Sequence, residues 1–249
     1  MAARVAGLAA QIGRRAHQGV PALSRDAVAI IAHRLRCAKG QDVHIPPTVR
    51  RRKLSLGCGD GRWVICPDHL GSDSVVYSVG IGTNVTFDVA LIRRFSCSVH
   101  GFDPTPLSIE WLRSQKLPPG FLMHPWGLAA HDGSARFTLP VKHSISFTMS
   151  AAVASKAVAE CPVHRLPTIR ELLQHSHIDL LKIDIEGAEY DVLDDIVTES
   201  SRIDQLLIEF HHRWSGTFSQ TERAISRIEE SGLRLFHTSA RGFEYSFVR

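Results

Sequence analysis

From residue 73 onward, short runs rich in Val, Ile, Leu and Phe alternate with stretches of helical periodicity. A parallel sheet built from strand–helix–strand units requires that alternation. The spacing predicts strands over residues 75–79, 98–102, 121–124, 179–183, 205–210, 233–237 and 243–248, and helices over 86–94, 106–114, 169–175, 188–198 and 221–231. The last two strands, joined through "TSARG", read as an antiparallel hairpin. The expected fold is therefore α/β, a mostly parallel, seven-stranded Rossmann-like sheet that ends in an antiparallel pair.

A glycine loop that holds a cofactor must follow a strand, carry glycines that let a ligand approach the backbone, and open a helix. Two segments compete for that role. "LSLGCGDGRWVI", starting at Leu54, has the glycines, but it continues into a Trp, two aliphatics and a proline, which suggests a short strand and a turn. "VVYSVGIGTNVTFDVAL", starting at Val75, has the buried strand, then Gly80 and Gly82, then a helix marked by Val85, Val89 and Ile92. A nucleoside ligand also wants a carboxylate at the end of the next strand, about 20 residues on, to accept from ribose hydroxyls. Asp103 lies 23 residues after Gly80, whereas no acid ends a strand at about that distance from Gly57, where Ser78 stands 21 residues on. The second loop is the cofactor loop; the first becomes a turn and edge strand folding over the cofactor side.

Val85 occupies the position where a dinucleotide fingerprint has its third glycine. That disfavours a pyrophosphate and an oxidoreductase using NAD(P)H. S-adenosylmethionine has no phosphates, and Gly80, Gly82, Thr83 and Asn84 can meet its methionine moiety.

A second constellation lies in "HIDLLKIDIEGAEYDVLDDI", starting at His177. Asp184 ends a buried strand next to the glycine-loop strand and faces the cofactor. Glu186 is expected at a helix start, where the helix dipole also explains it, and Glu189 reads as a solvated or capping acid. "LLKIDIEGAEYDVL" resembles the signature of the FkbM family of S-adenosylmethionine-dependent methyltransferases. "VYSVGIGTNVTFD" and "VHGFDPTP" are similar to segments of its eukaryotic methyltransferase-like branch. The likeness runs from about Leu54 to the C-terminus. It implies a class I methyltransferase fold, S-adenosylmethionine as methyl donor, and transfer to a hydroxyl of a sugar or another small molecule. Gly80, Gly82 and Asp103 match cofactor positions, and Asp184, Glu186 and Gly187 match the late motif. Many methyltransferases carry an acid two residues before the first glycine; here it is Ser78. Ser78 is kept as a cofactor-side position, with backbone carbonyls or Asp184 left to anchor the methionine amino group.

Further candidates flank these motifs. His211, after the strand "QLLIEF", suits proton removal from an acceptor hydroxyl, with a surface histidine as the plain alternative. Glu209 alternates with Leu207 and points inward. Trp126 and Gly127 line an adenine pocket, or the Trp is ordinary core. "VKHSISFTMS", residues 141–150, reads as an acceptor loop or lid. Asp184 with Glu209 or His211 offers donors for Mg²⁺.

Composition bounds the partners. No apolar run reaches the roughly 18 residues that span a bilayer, and the five cysteines include no C-x-x-C pair, so an intracellular, cytoplasmic protein with reduced thiols is expected. Residues 1–53 carry 11 Lys and Arg against 2 acids, while residues 54–249 carry 18 against 23. The chain thus divides into a basic helical extension with a linker, 1–53, and the catalytic domain, 54–249. The Ala- and Arg-rich start also resembles an organelle transit peptide. A basic arm leaves open a nucleic-acid or protein methyltransferase guided by it, and Ser78 leaves open a non-catalytic cofactor-binding protein. Small-molecule or glycan methylation is the first expectation.

Overall fold

The computed structural model describes residues 24–138, 158–213 and 217–249. The transit-peptide segment up to residue 23 and the expected lid at residues 141–150 lie outside them. Helix α1 (Arg25–Ala38) starts on Ser24, whose side chain accepts from the Ala27 N–H at 3.2 Å. It ends before Gly40, which takes a left-handed φ of 66°. A two-stranded hairpin follows, β1 (Leu54–Leu56) and β2 (Trp63–Ile65), joined by a 3₁₀ turn.

The main sheet then begins. β3 (Val75–Val79), β4 (Ser98–Phe102) and β5 (Phe121–His124) fall on the expected residues. They alternate with α2 (Thr86–Phe95) and α3 (Pro106–Ser114). A small sheet interrupts the series with β6 (Gly127–Leu128), β7 (Gly133–Thr138) and β8 (Val158–His164), in the order β6-β8-β7. The sequence pattern did not predict it. After α4 (Leu166–Leu172) come β9 (Ile178–Ile183), α5 (Leu193–Glu199), β10 (Ile203–Glu209), α6 (Phe218–Glu230), β11 (Arg234–Thr238) and β12 (Glu244–Val248).

The seven-stranded sheet has the order β11-β12-β10-β9-β3-β4-β5. β10, β9, β3, β4 and β5 are parallel, and β12 and β11 close the edge antiparallel. The order reverses between β3 and β9, which places the ends of those strands at the switch point where such sheets bind ligands. Buried side chains pack on both faces. Tyr77, Val79, Leu181, Ile183, Leu206 and Ile208 meet α4, α5 and α6 on one side. Val76, Leu180 and Leu207 meet α2, Trp63 and Ile65 on the other. Gln205 ties the β1–β2 segment to that second face: its amide bonds both the N–H (2.9 Å) and the carbonyl (2.8 Å) of Cys66.

Two helix expectations need correction. The helix expected over 188–198 starts only at Leu193, because Glu186 and Gly187 take positive φ values of 54° and 106° and turn the chain first. The helix expected over 169–175 instead runs Leu166–Leu172, with Pro167 in its first turn. α6 starts three residues early on a capping box made by Thr217 and Gln220.

Asp42 joins the N-terminal segment to the sheet. It is 7% exposed and accepts from His33 (3.1 Å), Arg36 (3.2 Å), His212 (3.0 Å), Arg213 and the Val43 N–H. Beyond it, Thr48 and Val49 donate to the Leu235 carbonyl on the β11 edge. Among the described residues, no helix is long and apolar enough to cross a membrane.

A cluster of rings, His100 stacked on His124 and edge-on to His175, is buried beside Tyr77. Burial, reinforced by the two neighbouring imidazoles, lowers the His100 pKa to about 4, and burial near Lys53 and Arg62 does the same to His237. The unfolded chain binds these protons near pH 6.5 and the folded one only near 4, so stability falls as pH drops through that window. For His100 alone the full loss is about 3 kcal/mol. Urea unfolding at pH 7, 5.5 and 4.5 should show the decline, and His100→Phe should flatten it; a wild-type stability that is level from pH 7 to 4.5 would refute the cause.

Candidate active site

One cavity of about 330 Å³ opens at the carboxyl ends of β3, β4, β9 and β10. Pockets that hold small ligands start at roughly this size. Its upper wall is the expected loop. Gly80 has a φ of 76°, and a Cβ there would lie 1.7 Å from the Asp184 carbonyl oxygen. Only glycine fits, because the backbone of β3 leans directly on that of β9. Gly82 also takes a positive φ, 56°, and its N–H donates to Asp103 at 2.8 Å. The other Asp103 oxygen accepts from the Thr105 N–H (2.9 Å) and hydroxyl (2.6 Å). Asp103 is thus oriented toward the loop with acceptor capacity left, since a carboxylate offers about four lone-pair sites.

Thr83 lines the cavity as expected. Asn84 lines it too, but its side chain is committed elsewhere. Its Nδ2 donates to the Cys58 carbonyl (3.2 Å) and to Asp60 (3.1 Å), and its Oδ1 accepts from the Thr86 N–H (3.1 Å) and hydroxyl (2.7 Å). It therefore staples the "LGCGDG" turn to the loop and caps α2. The glycines of that turn serve close packing: a Cβ on Gly57 would meet the Gly61 carbonyl, and one on Gly61 would meet Asn84. The turn does fold over the cavity, to which Asp60, Gly61 and Trp63 contribute.

Gly127 lines the cavity beside Pro104, Leu128 and Phe137, an apolar slot next to Asp103 suited to a planar base. Trp126 is not among the lining residues. It packs with Phe102, His124 and His164, so the core alternative holds. Ser78 is corrected as well. It is buried, does not line the cavity, and its hydroxyl lies against Asp88.

The floor gathers Asp184, Glu186, Glu209 and His211. His211 is buried, not a surface histidine. Its Nδ1 lies 2.8 Å from Glu189, while Nε2 stands 3.5 Å from Glu186, 3.8 Å from Asp184 and 3.9 Å from Glu209. Glu189 is fully buried and also accepts from the Ile185 (3.2 Å) and Gly187 (3.0 Å) N–H groups. Of the two expectations for it, the solvated acid fails and the capping acid is nearer, because the turn N–H groups close on its buried carboxylate. Glu186 sits in the left-handed turn, well before α5, so a helix dipole does not account for it. Burial opposes the charged imidazole of His211, yet the carboxylates of Glu189, Asp184 and Glu209 outweigh it and raise the pKa. Burial and the charges of Asp184 and Glu244 raise that of Glu209. Donor atoms of Asp184, Glu186 and His211 all lie within 4.8 Å of one another, close enough to share a cation.

Lining residues that the sequence did not single out include the charged Asp88, Lys182 and Arg241. Lys182 was visible as a charge inside an apolar strand pattern, the best signal available. Asp88 and Arg241 look like ordinary helix and turn residues.

This geometry agrees with what the chain is similar to. The family model for the methyltransferase FkbM domain matches residues 75–235. A probable methyltransferase-like protein 24 from Rattus norvegicus is 29% identical over 194 residues, covering 74% of this chain and 48% of its own. Its Homo sapiens counterpart is 28% identical over 193 residues, covering 73% and 47%. The chain spans about half the length of these curated relatives. Among solved structures, a methyltransferase FkbM from Methylobacillus flagellatus aligns with a TM-score of 0.47 at 14% identity, covering 73% of this chain and 44% of that one. Aeropyrum pernix fibrillarin with natively bound S-adenosyl-L-methionine aligns with a TM-score of 0.40 at 11% identity, covering 72% and 66%. With a glycine loop, a strand-end Asp and the Asp184–Glu186–Gly187 turn around one cavity, and a family match over most of its sheet, the chain belongs to the FkbM methyltransferase family.

Proposed function

We propose that this chain uses S-adenosylmethionine to methylate a hydroxyl of a sugar or another small molecule. The observation that carries this reading is a single cavity joining the Gly80–Gly82 loop and Asp103 to the Asp184–His211 floor. The residues present fit the cofactor. Asp103 can accept from ribose hydroxyls, the slot by Gly127 and Leu128 accepts a planar base, and the glycine loop leaves backbone open to the methionine portion. When bound, the cofactor supplies a sulfonium-borne methyl group open to in-line displacement.

The chain's own groups then position the acceptor and move its proton. His211 Nε2 faces the cavity, and Glu189 fixes the ring through Nδ1, so the orientation of the imidazole is set by a buried carboxylate. Asp184, Glu186 and Glu209 around Nε2 stabilise a proton there. Against burial, Glu189, Asp184 and Glu209 raise the His211 pKa to about 10, so the ring serves as base only in its neutral fraction and transfer rises with pH. Holding the acceptor oxygen in line contributes the larger part of the rate, and proton transfer adds about 10²–10⁴-fold.

The proximity of donors on Asp184, Glu186 and His211 favours a second reading, in which a divalent cation orients the acceptor oxygen. The imidazole in the set suits Zn²⁺ better than Mg²⁺, while the two carboxylates also admit Mn²⁺.

Calorimetry with S-adenosylhomocysteine should show binding by the wild type and a loss of about 10–100-fold for Asp103→Ala, the cost of hydrogen bonds to a charged acceptor. No binding, or unchanged binding by Asp103→Ala, would remove the cofactor assignment. Methyl transfer from labelled S-adenosylmethionine to a panel of sugars and phenols should fall about 10²–10⁴-fold in His211→Ala while homocysteine-product binding persists. Treatment with EDTA separates the two readings: transfer is unchanged with His211 as base, and lost but restored by Mn²⁺ with a metal.

A further inference from the structure

The acid that many methyltransferases carry at the end of the first core strand is Ser78 here, so the cavity needs another partner for the amino group of the cofactor's methionine portion. The nearby alternatives are engaged. The Val79 carbonyl accepts from the Asp184 N–H at 3.1 Å and from Lys182 Nζ at 3.2 Å. The Gly80 carbonyl accepts from Lys182 Nζ at 2.7 Å. Asp184 itself faces Lys182 at 3.7 Å and His211 at 3.8 Å.

Of the other carboxylates lining the cavity, Asp60 accepts from Asn84, Asp103 accepts from the Gly82 N–H on the ribose side, and Glu186 and Glu209 stand around His211, which leaves Asp88. Asp88, in the first turn of α2, lines the cavity while only 2% exposed, and its Oδ1 has no hydrogen-bond partner among the described residues. Beside it stands the Ser78 hydroxyl, a neutral hydrogen-bonding neighbour that brings no countercharge. A buried carboxylate on a cavity wall, with no cation paired to it at close range, is one that a cationic ligand group can satisfy. Lys182 is near enough to act on Asp88 through space, but its own close carboxylate contact is with Asp184. Burial raises the Asp88 pKa against the opposing effects of the Ser78 hydroxyl and the Lys182 charge. An arriving ammonium supplies the missing countercharge.

Resting on the cofactor assignment above, we propose that Asp88, carried by the helix after the glycine loop, replaces the strand-end acid absent at Ser78 and receives the cationic amino group of S-adenosylmethionine. The acid has moved from strand to helix, and Ser78 leaves the space it occupies. Lys182 holds the loop carbonyls, which then do not compete for the ammonium.

Calorimetry with three ligands tests this without need of an acceptor: S-adenosylhomocysteine, its deamino analogue, and 5′-methylthioadenosine, which lacks the whole amino-acid portion. The wild type should bind S-adenosylhomocysteine at least about tenfold more tightly than the deamino analogue, the effect of one charge-assisted hydrogen bond. Asp88→Asn, nearly isosteric, should erase that preference and bind 5′-methylthioadenosine as the wild type does. Asp184→Asn should keep the preference. The proposal is overturned if Asp88→Asn keeps it, if Asp184→Asn alone erases it, if the wild type shows none, or if Asp88→Asn weakens all three ligands equally, which marks a structural role. Should Asp88→Asn not fold, the preference in the wild type and in Asp184→Asn still decides between the two carboxylates. Failure of the wild type to bind any of the three would instead remove the cofactor assignment itself.

Discussion

The contact between Gly80 and the Asp184 carbonyl governs this site. With a Cβ excluded at 1.7 Å, the ends of β3 and β9 are held backbone to backbone, and the loop must rise over the cavity with a left-handed φ. Because the chain order reverses at these two strands, their ends diverge into different crossovers and leave a crevice. Every group credited with a role hangs from that crevice: Asp103 on the Gly82 N–H, Asp184 on the Val79 carbonyl through its own N–H, and the Asp184–Glu189 turn around His211.

A second constraint is a breach in the apolar rule for central strands. Parallel strands covered on both faces should be apolar on both. Here Ser78 and Lys182 are adjacent in register on the face covered by α2, and Glu209 emerges one pleat beyond Leu207, the register partner of Lys182. Isolated, each polar side chain would be a liability. Together, at the strand ends beneath the cavity, they form a buried polar seam completed by Asp88 from the helix above. Lys182 spends its hydrogen bonds on loop carbonyls, and Glu189 spends its on loop N–H groups. The seam thus stabilises a loop geometry that the backbone alone would not keep.

Strand and helix periodicity made the sheet legible because burial imposes a strong apolar signal on residues 75–79 and 178–183. The glycine loop and Asp103 were legible for a different reason, their fixed spacing along one strand–helix–strand unit. Trp126 was left open between pocket and core, and Ser78 was misplaced, because side-chain direction depends on neighbours that no spacing reveals: His164 beside the Trp, and Asp88 beside the Ser. Glu189 was left between a solvated and a capping acid since its partners, Ile185, Gly187 and His211, converge only through a turn and a neighbouring strand. The small sheet β6-β8-β7 escaped notice because two of its strands are separated by a long insertion and the third is two residues long.

What the sequence by itself determined is the topology and the choice of cofactor loop, since both are written in local periodicity and in glycine and acid spacing. What only the tertiary structure decided is which carboxylates do which work. Asp42, Asp88 and Glu189 are acids in ordinary-looking positions, and packing alone made one a tether for the N-terminal helix, one a cavity wall with an unused oxygen, and one the holder of His211. The physical reason is that charge acquires its role from desolvation and from the donors brought within about 3 Å of it, and neither is a property of the residue's place in the chain.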